Sequence, residues 1–314
     1  MLQKIINFLY RNPKSKLKHY RKFGGFFNLK KIEKARKEME KAALDLPPVI
    51  SYDDGLSIYF LTGKRYLYQT LFCIQSLKKV SNEKFKFYLV DDGSFSNDDL
   101  ENILRLLPNS ITYTRKIIDE RLASQLPKEK YPYLHHKRLE YPHIKKLTDV
   151  HIFDENEWKL VLDSDMLFWK NPDQLIKWLK NPSIPTCMVD CEEAYGYSST
   201  LMEELSGNKI HPLINVGVIG LKSNSINWGN LEKWCIELEK REGVTYFLEQ
   251  ALSAMIIGSE NAEELDPQYY IVNPKQINSI DTLHHYVDVS KQLYFKKAWK
   301  TILKKSPDYI KSFS

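Results

Sequence analysis

From residue 56 onward the chain alternates short apolar runs with amphipathic segments. Residues 56–61 form a run suited to a strand buried on both faces of a parallel sheet. Thr62-Gly63-Lys64 then marks a turn, and residues 66–79 carry Leu67, Leu71, Ile74 and Leu77 on one helical face. Residues 85–90 predict a second strand, 97–107 a helix and 111–114 a third short strand. Leu160-Val161-Leu162, residues 186–189 and residues 214–221 read as further strands. Leu231, Trp234, Cys235 and Leu238 give a helix its inner face, residues 245–257 predict another, and 192–207 read as a polar loop suited to a lid. Strands alternating with helices predict an α/β domain around a mostly parallel sheet, with ligands outside the strands' carboxyl ends.

One strand breaks its own pattern. The run Leu160-Val161-Leu162 stops in Asp163-Ser164-Asp165, and apolar character resumes at Met166-Leu167-Phe168-Trp169. Asn171-Pro172 follows, as an N-cap with proline at the first helical position, so the pattern reads strand, acidic tip, helix. Two unpaired carboxylates at the end of a buried strand would cost several kcal/mol. A hard divalent cation, Mn2+ or Mg2+, removes that cost. An isolated D-x-D is usually a solvated turn; apolar flanks on both sides argue for a metal site here. A haloacid-dehalogenase-type phosphatase wants Thr or Val two places after the second Asp and a site near its domain's start. This chain has Leu167 there, in mid-chain.

Two more turns stand at predicted strand ends, Thr62-Gly63 and Asp91-Asp92-Gly93, and three such turns along one edge describe a pocket. Residues 117–154 form a basic, histidine-rich helical stretch leading into the D-x-D strand, so that Lys145 or Lys146 can reach a diphosphate; the alternative is a solvated face. Asn215 and two glycines interrupt the strand at 214–221, which signals either a close backbone approach to a ligand or a bulge. Glu249-Gln250 is a polar pair in an apolar helix, facing either solvent or a site. His284 and His285 offer a third metal ligand beside the two aspartates.

Composition narrows the class. At 314 residues, 43% hydrophobic and 27% charged, the chain is an ordinary soluble globular protein with room for a sizeable core. Four scattered cysteines predict buried thiols and a reducing, cytoplasmic setting; Cys187 and Cys191 lack a second pair for zinc. Charge is uneven: residues 1–48 hold 13 Lys/Arg against four acids, leaving −3 for the remainder of a chain whose total is +6. We therefore divide the chain into a basic helical arm, 1–48, and a catalytic domain, 49–314. The arm should be helical in two pieces, broken at Asn12-Pro13 and Gly24-Gly25 and closed by Pro47-Pro48. Leu2, Ile5, Ile6 and Leu9 beside Lys4 and Arg11 would let it lie on an anionic membrane; the alternative is a basic helix packed on the domain's back. No nucleic-acid partner is expected.

Residues 56–299 resemble the GT-A glycosyltransferases, most of all the family 8 type, whose fold is a Rossmann-like, mostly parallel sheet flanked by helices. The resemblance rests on Leu160–Asp165, Asn215-Val216-Gly217-Val218, Glu249-Gln250 and His285-Tyr286, in the family's order. It implies a retaining, metal-dependent enzyme that moves a sugar from a nucleotide-sugar donor to a glycan, lipid-linked or other hydroxyl acceptor. It implies that Asp163, Asp165 and His285 bind manganese, with His284 a rival for the last. Asn215 matches a donor-sugar contact, and Glu249-Gln250 matches an acidic–Gln pair near the anomeric carbon, with Glu where the family usually has Asp. The turns at Thr62, Gly63, Asp91 and Asp92, together with Lys145 and Ser164, would hold the nucleotide. The usual H-x-G-x-x-K-P-W ending is replaced by His285-Tyr286 and a distant Lys297-Ala298-Trp299. Competing readings are a sugar nucleotidyltransferase, for which Thr62-Gly63-Lys64-Arg65 is a faint phosphate loop, and an inactive GT-A domain acting as a binding protein.

Overall fold

The computed structural model describes residues 21–258, 262–278 and 280–304. Its helices and strands follow in the order α1 Phe26–Ala43, β1 Leu56–Thr62, α2 Leu67–Val80, β2 Phe85–Asp91, α3 Asn97–Leu106, β3 Ile111–Tyr113, α4 Arg115–Gln125, α5 Pro132–Glu140 and α6 Lys145–Thr148. Next come β4 Trp158–Leu162, β5 Met166–Phe168, α7 Asp173–Lys180, β6 Thr186–Val189, α8 Ser199–Ser206, β7 Ile214–Lys222, α9 Trp228–Glu242 and α10 Leu248–Ile257. The chain closes with β8 Glu263–Glu264, β9 Tyr270–Val272, β10 Leu283–His285, α11 Lys291–Leu293, a π-helical turn Tyr294–Ala298 and α12 Trp299–Ile302.

Seven strands make one sheet in the order β3-β2-β1-β4-β7-β6-β8, and β7 alone runs against its neighbours. The strand alternation sorts side chains into two cores. Ile58, Phe60, Leu160 and Leu162 face α1 and α2, while Tyr59, Val161 and Ile219 face α9 and α10. A small second sheet, β5-β10-β9, stands at the carboxyl end of β4 and sets His285 opposite Met166.

The structure departs from the sequence reading at four places. The acidic tip leads not into a helix but into β5, because Met166, Leu167 and Phe168 are all buried and pair with β10. The helix beyond starts at Asp173, with Pro172 rather than Asn171 at its cap; the Asn171 amide instead donates to the Asp173 carboxylate, 2.5 Å. The expected lid at 192–207 contains α8, which Ser198 caps at Leu201 N–H and Gly207 ends in the left-handed region, φ 73°. Leu201 and Met202 are buried there, too few apolar positions for a helical period to show. Cys73, Cys187 and Cys235 are buried, but Cys191 is exposed.

The chain breaks at Gly24 and Gly25, both at positive φ (73° and 93°), as the sequence suggested. The Asn12-Pro13 break and the apolar positions 2–9 lie outside the described residues. Helix α1 presents Ile32, Ala35, Met39 and Ala43 to the same core as α2. Met39 is fully buried, so Met39→Ala should cost about 2–5 kcal/mol in urea unfolding. A loss well below that would mean that α1 merely rests on the domain.

Candidate metal and donor site

β4 ends by delivering Asp163, and its backbone is held on both sides. Asp163 N–H donates to Gly217 O across β7 at 2.8 Å, and Tyr286 N–H donates to Asp165 O at 2.9 Å. The hairpin of β5 and β10 thus folds His285 back onto the acidic tip. His285 Nε2 stands 3.5 Å from Asp163 Oδ2 and 3.4 Å from Asp165 Oδ1. Among the described residues these three are the one group of His, Cys, Asp or Glu side chains arranged to hold a cation.

The neighbours of His285 decide which nitrogen faces the carboxylates. Asn215 Oδ1 accepts Gly217 N–H at 3.0 Å, which fixes the amide's orientation, and it also meets His285 Nδ1 at 2.9 Å. Nδ1 must therefore carry the proton, and the lone pair of neutral Nε2 points at Asp163 and Asp165. Two carboxylates and a correctly presented imidazole fit a manganese-class cation. Gly217 is required by space: a Cβ there would lie 2.4 Å from the His285 ring. Of the two glycines that interrupt this strand, Gly217 is thus the one that makes room for the His285 ring.

His284 faces the other way, as alternation along β10 demands. Its Nε2 meets Asp281 at 2.7 Å, its Nδ1 meets the Tyr286 hydroxyl at 3.0 Å, and it is fully buried. Tyr286, Tyr294, Phe295 and Trp299 pack into the α1–α2 core.

Cations gather around the acids. Lys146 Nζ lies 2.7 Å from Asp163 Oδ1 and 3.6 Å from Glu249 Oε2, and Lys291 Nζ lies 3.2 Å from Asp165 Oδ2. Burial opposes ionisation of Asp163, but Lys146 and His285 outweigh it and hold the carboxyl below its usual range. At Asp165 burial is likewise overcome, by Lys291 and His285. Burial also disfavours the imidazolium of His285, yet the two aspartates lift it to about 9. Metal binding must then displace that proton.

Lys145 points away from the triad: its Nζ donates to Asp92 O at 2.5 Å. This ties the basic stretch to the second acidic turn. Asp92 N–H donates to Thr62 O at 2.9 Å, and Lys64 N–H donates to the Ser94 hydroxyl at 2.9 Å, so the first two turns form one edge. A Cβ at Gly63 would fall 2.0 Å from the Asp92 carboxylate. Asp91 uses Oδ1 to accept the N–H groups of Gly93, Ser94 and Phe95, which makes it the builder of its turn. Thr70 joins the first turn to the third, meeting Thr62 at 2.9 Å and Ser164 at 2.8 Å.

Glu249 and Gln250 are buried and look inward. Asp190, which the sequence reading missed, joins Gln250 to Asn215: its Oδ2 accepts from Asn215 Nδ2 at 2.8 Å and from Gln250 Nε2 at 3.2 Å. Asp190 ends a strand just as Asp163 does, the signal that could have found it. Lys291 was missed because the search followed the family's terminal motif toward Lys297, which is exposed. Burial pushes Glu249 up to about 7; Lys146 opposes the shift and Asp163 adds to it.

No family model matches the chain, and no curated protein matches it. Solved structures do. Over 81% of this chain and 99% of its own, the galactosyltransferase LgtC, solved with donor and acceptor sugar analogs, superimposes with a TM-score of 0.51 at 11% identity. Mouse xyloside xylosyltransferase 1 covers 76% of this chain and 98% of its own, with a TM-score of 0.50 at 13% identity. The chain has the GT-A fold. In this GT-A chain the D-x-D lies at the end of the central strand β4, where three acidic or glycine-bearing turns meet.

Two measurements check the geometry. Asn215→Ala should weaken Mn2+ binding, read by calorimetry, about 10–100-fold without touching a proposed ligand. Unchanged affinity would detach Asn215 from the orientation of His285. Between pH 4.5 and 7 the unfolded chain releases a Glu249 proton that the folded chain keeps, so stability falls across that window and levels off above it. In chelator-treated protein, Glu249→Gln should therefore gain stability relative to the parent as pH rises from 4.5 to 7. A flat difference would return Glu249 to an ordinary carboxylate.

Proposed function

We propose that the protein is a metal-dependent glycosyltransferase that moves a sugar from a nucleotide-sugar donor to a hydroxyl acceptor, with retention. The observation that carries this reading is the Asp163–Asp165–His285 triad, with the His285 lone pair aimed at the two carboxylates and the polar pair Glu249-Gln250 close by. The edge that would take the nucleotide is lined or built by Thr62, Gly63, Asp91, Asp92, Lys145 and Ser164.

A divalent cation bound by the triad supplies Lewis-acid stabilisation of the departing nucleoside diphosphate. The chain's own residues do the rest. Lys146 and Lys291 flank the triad and stabilise the charge that develops on the leaving phosphate, an effect worth several kcal/mol where water is excluded. Asp190 gathers Asn215 and Gln250, so that the amide groups and the carboxylate form one hydrogen-bonded surface for the donor sugar. Gln250 is the polar group for the face of the sugar opposite the leaving group. Glu249, poised near neutrality, sits beside Lys146 and sets the charge beneath that surface.

On the acceptor side, Tyr246 is 67% exposed at the head of α10. It stacks edge-on with His143 (5.0 Å between centroids), and its carbonyl accepts the Tyr141 hydroxyl. These rings offer an apolar face to an acceptor glycan.

A panel of sugar nucleotides assayed for Mn2+-dependent hydrolysis tests the reading, with Asp165→Asn and Lys291→Ala beside the parent. One donor should be turned over. Asp165→Asn should abolish turnover with its fold intact, and Lys291→Ala should lower kcat by about 100-fold. Full activity of Asp165→Asn in manganese would remove the triad from the chemistry.

A further inference from the structure

We propose that the first half of α1 is a docking face for an anionic lipid bilayer, set beside the entrance to the carboxylate site. The inference goes beyond the transfer reaction and does not depend on it. Helix α1 has two unlike faces. Its inner one, Ile32, Ala35, Met39 and Ala43, is buried in the core. Its outer one carries Phe27 and the exposed Lys30, Lys31, Lys34, Lys37 and Lys41. Phe27 is 79% exposed, the highest value of any large apolar side chain among the described residues.

The acids of the helix are neutralised, and Lys30 lies over the Phe26 ring, 4.6 Å from its centroid. Arg36 pairs with Glu33 at 2.8 Å and Glu40 at 3.2 Å, and Lys300 takes Glu38 at 3.2 Å. Among the described residues, none of the five outer lysines has an ion-pair partner. The twenty residues that precede Arg21 in the sequence add five Lys/Arg and no acid. A strongly basic helical face with an exposed aromatic side chain at its tip is the chemistry that anionic headgroups and their acyl boundary accept together. A nucleic acid or other polyanion would use the lysines but give Phe27 no apolar partner. A protein partner would need roughly 800 Å² of matching surface per side, more than a row of lysines and one exposed ring provides.

The face is also tied to the site. Lys22 Nζ meets Asp288 at 2.6 Å, and Asn28 Nδ2 donates to Gln292 Oε1 at 2.7 Å. Both partners flank Lys291, whose Nζ lies 3.2 Å from Asp165. One short segment therefore connects the docking face to the triad, and an acceptor carried on a lipid would meet the site at the bilayer surface.

The test is sedimentation of the full chain with two kinds of vesicle, phosphatidylcholine alone and phosphatidylcholine with about a third phosphatidylglycerol. The parent should pellet only with the anionic vesicles, less so as salt rises. Binding should weaken at least about tenfold in the triple variant Lys30→Glu, Lys31→Glu, Lys34→Glu, and several-fold in Phe27→Ala. All these positions are exposed, and unchanged thermal melting verifies that the fold survives. Failure of the parent to pellet overturns the proposal, as does equal pelleting of both variants, which would assign the contact to other residues. Retention on heparin that only the lysine variant loses, with no vesicle binding, would make the face a polyanion site and also overturn it.

Discussion

Two carboxylates at the end of a buried strand are the constraint around which this molecule is arranged. Asp163 and Asp165 cannot stand there alone, since unpaired buried charges cost several kcal/mol. The chain meets them with three groups from distant parts of the sequence: Lys146 from a short helix before β4, His285 from the second sheet, and Lys291 just beyond it. Each contact pins an element. The return of the C-terminal segment across the sheet is thus an electrostatic requirement as much as a packing one.

That arrangement gives the apo site a definite character. With His285 lifted to about 9 and two lysines nearby, the acids are already compensated without a metal. A cation entering the triad would compete with a proton on His285. Asn215 favours the metal in this competition, because it holds the Nδ1 proton and leaves Nε2 as the titrating nitrogen that a cation can take over.

Much of this was legible in the sequence. The helix-and-strand rhythm from 56 to 114 matches the structure to within a residue or two, because double-sided burial imposes continuous apolar runs. The Asp163–Asp165 break was readable because charge at the end of such a run is unusual. His285 was preferred on the resemblance, with His284 as its rival; strand alternation says only that the two face opposite ways, and the pairing of β10 decides which one meets the aspartates. What the sequence hid were contacts with no local signature. β5 is three residues long and too short to show a period, and α8 buries only two apolar side chains. Asp190 lies just past β6 and Lys291 opens the short helix α11, and their meaning comes from residues 60 and 126 positions away in the chain.

The place of Gly217 shows how tightly fold and site are joined. Within the seven-stranded sheet β7 is the one strand that runs against its neighbours, and its register puts Gly217 O opposite Asp163 N–H while the missing side chain of Gly217 makes room for His285. Asn215, two residues earlier and on the same face, then reaches both the His285 ring and Asp190. A single antiparallel strand thereby links the cation ligands to Asp190 and Gln250. A one-residue slip of β7 would turn Asn215 away and place a valine against the His285 ring, so pairing register and ligand geometry are fixed by the same residues.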